Sequence, residues 1–206
     1  MSWQSRADGC AALFDGNGCR KYLTRAERAR FLVAAQDLDN SSRAFLQLLA
    51  FTGCRISEAL ALTPARLDVG TARVVFQTLK RRHRVFRAVP IPRHLVDDLE
   101  ALASQRSAED RLWMWCRVTA WRHVKAVMDA AGIDGTQACP KGLRHAFGVA
   151  NAEMNIPASL TQRWLGHARL ETTAIYQEAL ADEERAFAKR LWARPKTAPT
   201  KEAGWD

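Results

Sequence analysis

The chain is short of several things. None of its 206 residues begin a run of the ~18–20 apolar residues that a membrane helix needs. The first ten residues, MSWQSRADGC, hold no apolar stretch of the kind a secretory leader carries. Five cysteines, at 10, 19, 54, 116 and 139, are odd in number and form no CxxC pair. That excludes a disulfide framework and a structural zinc site, and the expectation is a reduced, cytoplasmic protein. No carboxylate cluster with metal-ligand spacing is visible, so no metal and no cofactor is expected. No internal repeat is visible either. Acid is scarce relative to base: 22 Asp and Glu face 31 Lys and Arg, giving a net charge of +9. A field of that sign favours polyanions, although charge alone leaves nucleic acid and other partners open.

What is present is a core. Hydrophobic residues make up 48% of the chain, which argues against wholesale disorder, and the length suits about one domain. Residues 1–22 contain DGNG and little periodicity, and are expected to be an irregular lead-in. Order begins at LTRAERARFLVAA. Thr24 and Glu27 form a capping box, Leu23 is placed as a hydrophobic staple, and Phe31, Leu32 and Ala35 follow at helical spacing. A second helix runs through SRAFLQLLAF and should stop near Gly53. A short third, ISEALAL, ends before Thr63-Pro64, which opens one more turn.

The pattern then changes. RVVFQTL (73–79) and RVFRAVPI (84–91) flank a polar KRRH and predict a β-hairpin. Helices return at HLVDDLEALA, at TAWRHVKAVMDAA closed by Gly132, and at KGLRHAFGVANAEM. Pro157 opens PASLTQRWLG, which Gly166 closes. ETTAIYQEAL and ADEERAFAKRLW predict two more helices, and the polar tail 193–206 is expected to be disordered. The fold class is mainly α with a small antiparallel β-sheet.

Several residues in this frame bear chemistry, and each has a plainer reading when taken alone. Arg55 has the fork that grips a phosphate, and Glu58 can orient it, but the two also make an ordinary i,i+3 ion pair. Lys80 at the hairpin tip can reach into a groove and protonate a leaving oxygen, or simply keep an edge soluble. Lys141 and Arg144 are three apart behind Pro140, in a first turn whose free N–H groups attract anions. His145 reads first as a packed core histidine and His167 as a helix-end cap. Tyr176 reads as a core tyrosine, yet a phenol can serve as a covalent nucleophile where cations stabilise its target. Together they would supply charge neutralisation, a proton donor and a nucleophile for phosphoryl transfer.

Their order carries more than each alone. TGCRISEAL, TLKRR, GLRHAF and WLGHARLETTAIY resemble the signature boxes of the tyrosine recombinases, also called the phage integrase family, from about Leu23 to about Trp192. The resemblance implies the catalytic-domain fold of that family over 23–192. It implies that Arg55 and Arg144 clamp the scissile phosphate of double-stranded DNA and that Glu58 supports the first of them. Lys80 would be the general acid, His167 a hydrogen-bond donor to the phosphate, and Tyr176 the nucleophile of a 3′-phosphotyrosyl link. That ester conserves energy, so strands exchange without ATP. Four protomers would act on two duplexes as a homotetramer, with a monomer or weak oligomer off DNA.

Two departures stand out. Lys141 occupies a position where the family usually has His, which shifts its expected role from acid–base chemistry toward charge stabilisation. Only 22 residues precede the first helix, where most members carry a helical DNA-binding domain of roughly a hundred residues. In size the chain is similar to the short fimbrial-switch invertases, and an accessory DNA-bending or DNA-binding protein is an expected partner. The segment 181–192, with Phe187, Leu191 and Trp192 on one side, suits docking in cis or on a neighbouring protomer. A non-catalytic DNA-binding regulator and a type IB topoisomerase-like enzyme are the rival readings.

Overall fold

The computed structural model describes residues 13–78 and 85–176. Lys80 and the segment 181–192 therefore lie outside the described residues. In chain order the elements are α1 (Arg25–Ala34), α2 (Asn40–Thr52), α3 (Ile56–Leu60), a 3-10 turn (Pro64–Arg66), β1 (Leu67–Asp68), β2 (Arg73–Gln77), β3 (Phe86–Pro90), α4 (Arg93–Ala103), α5 (Arg117–Ala130), α6 (Pro140–Glu153), α7 (Ala158–Leu165) and α8 (Glu171–Ala174). No described helix is long and apolar enough to cross a membrane.

Helix α1 starts where the capping box places it. The Thr24 side chain accepts from the Glu27 N–H, and the Glu27 carboxylate accepts from the Thr24 N–H at 2.8 Å. Helix α2 is the axis of the domain. Every residue from Ala44 to Ala50 is buried, because α4, α5 and α6 cover it on different sides. Phe45 lies at its centre, edge-on to Trp113 with ring centroids 5.1 Å apart. Truncating Phe45 to Ala would cost about 3–5 kcal/mol, the usual range for an aromatic lost from a close-packed core.

Gly53 ends α2 in the left-handed region, at φ 59°. A Cβ there would also meet Phe147 and Leu165 at 2.8–2.9 Å. Both the turn and the close approach require glycine. The result is that the chain leaving α2 passes directly against α6 and α7, and Arg55 follows two residues later.

The sheet is three-stranded and antiparallel, in the order β1-β2-β3. The hairpin forms as its sequence predicts, with Val74 opposite Val89 and Phe76 opposite Arg87. Strand β1 is an addition. It has two residues and too little pattern to be read from sequence. Val74, Phe76, Arg87 and Val89 face inward, so one charged side chain enters the apolar register of the sheet.

The described part of the lead-in, residues 13–22, carries one isolated bridge, between Phe14 and Arg20, and is packed. Leu13 is buried with Phe147, Val149, Leu165 and Tyr176 in a second, smaller hydrophobic cluster. Arg20 forms a bidentate ion pair with Glu27. Near the other end, the helix expected over ETTAIYQEAL lies only partly within the described residues. Its described turn covers Glu171–Ala174, and Tyr176 sits in the turn that follows, its N–H donating to the Thr173 carbonyl.

Candidate active site

Glu58 is the hub. Its side chain is fully buried, and its carboxylate accepts four hydrogen bonds. Two come from Arg55, the N-cap of α3: its backbone N–H at 2.9 Å and its Nη1 at 3.0 Å. Two come from Arg87 on β3: Nη2 at 2.6 Å and Nη1 at 3.3 Å. Burial raises the Glu58 pKa, but the bonds and charge of Arg87, then of Arg55, outweigh it and hold the carboxyl below its ordinary range. The expected support of Arg55 by Glu58 is present as a contact. The partner on the far side, Arg87, is not among the residues that the sequence pattern singled out.

Arg144 projects from α6 and is buried. It donates to two carbonyls at 2.7 Å, those of Gly53 and Leu165. One ends α2 and the other ends α7, so the guanidinium ties both helix ends together and satisfies their free acceptors. Among the described residues no carboxylate forms an ion pair with Arg144. Burial, and then the like charge of Arg55, push its pKa down to about 10, which still leaves it charged at neutral pH. Arg55 and Arg87 thus share one buried carboxylate, Arg144 adds a third cation, and the cluster carries surplus positive charge.

His167 follows Gly166, the left-handed C-cap of α7. Its Nδ1 lies 2.9 Å from the Thr173 hydroxyl. Burial, then the Arg144 and Arg55 charges, push its pKa to about 3, so the ring is neutral. Its plane stacks on Tyr176 at a centroid separation of 6.2 Å. Tyr176 is buried, and its hydroxyl lies 3.2 Å from His145 Nδ1. Burial pushes the phenol up to about 12, against the opposing pull of Arg144 and Arg55. His145 is the packed core residue that its apolar neighbours imply. Burial and the Lys141 and Arg144 charges lower its pKa to about 4.

Arg55, Glu58, Arg144, His145, His167 and Tyr176 are therefore brought together from α3, α6, the α7 end and the turn after α8. Lys141, in the first turn of α6, is exposed, and its charge reaches His145. A cleft of about 250 Å³ opens between the hairpin base and α7, with Thr78, Val85, Gln162 and His167 in its wall. Besides Arg87, sequence reasoning missed Thr173 and Gly148. Arg87 had a legible signal: strand alternation puts it in register with Val89, facing the core, where an unpaired charge is costly. The Thr173 contact had none, because it depends on a turn six residues long.

A family model described as the Phage integrase family matches residues 21–183. The tyrosine recombinase XerA of Thermococcus kodakarensis is 30% identical over 175 residues, covering 80% of this chain and 60% of that protein. The chain belongs to the phage integrase family. The tyrosine recombinase XerD of Vibrio vulnificus is 31% identical over 149 residues, covering 65% of this chain and 47% of the relative. The chain thus spans roughly half to three-fifths of the length of these relatives. Among solved structures, XerA recombinase superposes with a TM-score of 0.69 at 24% identity, covering 84% of this chain and 66% of that one. The XerH site-specific recombinase in a post-cleavage complex with its difH substrate gives 0.74 at 20% identity, covering 84% and 54%. The catalytic domain of bacteriophage HP1 integrase gives 0.62 at 22% identity and is 93% covered. The fold is that of a tyrosine recombinase catalytic domain.

Proposed function

We propose that this protein is a site-specific DNA recombinase that cuts and rejoins double-stranded DNA through a 3′-phosphotyrosyl intermediate. The observation that carries the reading is the surplus buried charge. Arg144 has no carboxylate partner among the described residues, and Arg55 shares Glu58 with Arg87. Buried cations without counter-ions are costly unless an anion is meant to arrive, and a phosphodiester next to Tyr176 meets that need.

In this reading Arg55 and Arg144 hold the non-bridging oxygens of the scissile phosphate. They are strongest as the phosphorane forms, because their positions are already fixed by Glu58 and by the Gly53 and Leu165 carbonyls. His167 keeps Nδ1 on Thr173 and uses its other nitrogen as a donor to the phosphate. The Tyr176 hydroxyl passes its proton to His145 Nδ1, 3.2 Å away, as its oxygen forms the bond to phosphorus. The bond to the 5′-oxygen breaks, and Lys80 supplies that oxygen with a proton. Lys141 adds positive charge from the start of α6, and His145 holds the tyrosine hydroxyl before attack. The ester keeps the bond energy, so a 5′-hydroxyl can reverse the step without ATP or a metal.

The partners of this reading are DNA and further copies of the chain: four protomers on two sites, a monomer or weak oligomer off DNA, and an accessory DNA-bending or DNA-binding protein. The setting is a bacterial-type cytoplasm, on the nucleoid. The net charge of +9 and the DNA-bound complexes of structurally similar recombinases support DNA as the substrate.

The test is a covalent adduct. The protein is incubated with nicked duplex fragments flanking its own gene, denatured in detergent, and the linked residue mapped. An adduct at Tyr176 supports the reading. Tight, salt-sensitive binding with no adduct replaces it with a DNA-binding regulator. Relaxation of supercoils on DNA without paired sites replaces it with a topoisomerase.

A further inference from the structure

We propose that Arg87 is a positioning residue for the reaction: from β3 it discharges Glu58 and locks the end of α7, so that Arg55 and His167 meet the same phosphate. The inference rests on the strand-cleavage reading above.

The Arg87 side chain is only 3% exposed, so it acts through its neighbours. Its three nitrogens are all committed. Nη1 and Nη2 bind both Glu58 oxygens, Nη1 also donates to the Thr78 hydroxyl at 3.1 Å, and Nε donates to the Trp164 carbonyl at 2.7 Å. One guanidinium thus joins α3, the base of the hairpin and the last turn of α7. Gly166, the residue before His167, lies against it: a Cβ there would meet Arg87 Cζ at 3.1 Å. Only Leu165 separates Trp164, whose carbonyl Arg87 holds, from Gly166.

The electrostatic consequence is specific. Glu58 with Arg55 alone would be a neutral pair, and Arg55 would be spent on its own support. With Arg87 on the opposite side, the carboxylate is balanced by a buried cation that never sees DNA. Arg55 is then steered by Glu58 but keeps its charge for the phosphate. Lysine could not replace this fork, since its single nitrogen cannot reach Glu58, Thr78 and the Trp164 carbonyl with the same planar geometry.

The charged and titratable groups around Glu58 are Arg55 at the α3 N-cap, Arg87 on β3, Arg144 on α6 and Cys54 beside Arg55. Without Arg87, burial would raise the Glu58 carboxyl toward protonation.

The experiment compares wild type, Arg87→Met and the Glu58→Gln/Arg87→Met double variant in single-turnover adduct formation between about pH 5 and pH 8. Arg87→Met is expected to slow adduct formation by ~10²-fold and to gain an extra acid limb, because protonating Glu58 releases Arg55. The double variant, which has no ionisable carboxyl at position 58, is expected to lose that limb. A rate within about threefold of wild type overturns the inference. So does a slow variant with the wild-type pH profile, which would mean damaged structure only. If wild type itself forms no adduct, the strand-cleavage reading fails, and the inference is decided without DNA. The Arg55 guanidinium N–H signals, observed by NMR, are expected to be sharp in wild type and broadened in Arg87→Met. Unchanged signals overturn it.

Discussion

The ring of Tyr176 rests directly on Gly148 of α6: a Cβ at that position would come within 2.5 Å of the ring carbons Cε2 and Cζ. Glycine in the middle of a helix costs about 0.5–1 kcal/mol relative to alanine, so the position needs a reason, and the tyrosine seat provides it. Gly148→Ala should expel the ring. The variant is expected to lose about 1–3 kcal/mol, the cost of overpacking a filled site, measured as a lower denaturant midpoint. The chain has two tyrosines, so their ultraviolet titration is readable. The Tyr176 component should move from about 12 toward the ordinary value of 10 as the phenol meets water. A titration identical to wild type would show that the ring stays buried.

Tyr176→Phe removes one oxygen and keeps the ring on Gly148. It also frees His145 Nδ1 from its contact at 3.2 Å, for a stability change on the order of 1 kcal/mol. DNA affinity should be preserved and covalent linkage abolished. Persistent adduct in this variant, read on a denaturing gel, would rule out Tyr176 as the nucleophile.

Acid should weaken the fold through two histidines, the buried His145 and the half-buried His167. Their ordinary pKa is 6.5, and burial lowers His145 to about 4 and His167 to about 3. Above pH 6.5 both are neutral whether folded or unfolded. Below it the unfolded chain takes up protons that the folded chain refuses, so stability falls as pH drops toward the folded values. Denaturant midpoints measured down this range should decline. His145→Gln should decline less steeply, because one of the two groups is gone. Equal slopes would assign the acid sensitivity elsewhere.

How much of this was legible before the structure depends on the range of each interaction. The capping box at Thr24 and Glu27, the Gly53 and Gly166 stops and the hairpin partners are local, and each showed as a pattern within a few residues. Six of the seven described residues of the expected site came together because their boxes mark a shared architecture. The missed pieces are long-range or sub-threshold. Arg87 reaches Glu58 across 29 positions and the Trp164 carbonyl across 77, and no local rule reports such a pairing. Strand β1 is two residues long. Tyr176 was expected inside a helix, yet it occupies the turn after α8, where its ring reaches α6. The burial of its hydroxyl on His145 follows from that turn.

DNA affinity should fall steeply with salt. Phosphate contacts by Arg and Lys release counter-ions, so the logarithm of affinity drops linearly with the logarithm of salt, by about 0.9 for each phosphate neutralised on duplex DNA. Titrations on one duplex at several salt concentrations give the slope. A flat response would argue against a DNA role for the cationic cluster.

Arg144 offers the sharpest single substitution, because two of its functions can be separated. Its guanidinium holds the Gly53 and Leu165 carbonyls, and its charge has no carboxylate partner among the described residues. Arg144→Ala removes both and should cut single-turnover cleavage by at least ~10²-fold. Arg144→Lys restores a cation but can reach one carbonyl at most, so the ends of α2 and α7 are no longer tied. If charge alone matters, the lysine variant should recover most of the rate. If fixing Arg55 and His167 in place also matters, it should stay well below wild type at equal DNA occupancy. The structure favours the second outcome, since the carbonyls held by Arg144 adjoin the segments that carry Arg55 and His167. A cleavage rate for Arg144→Ala equal to wild type would remove Arg144 from the site altogether.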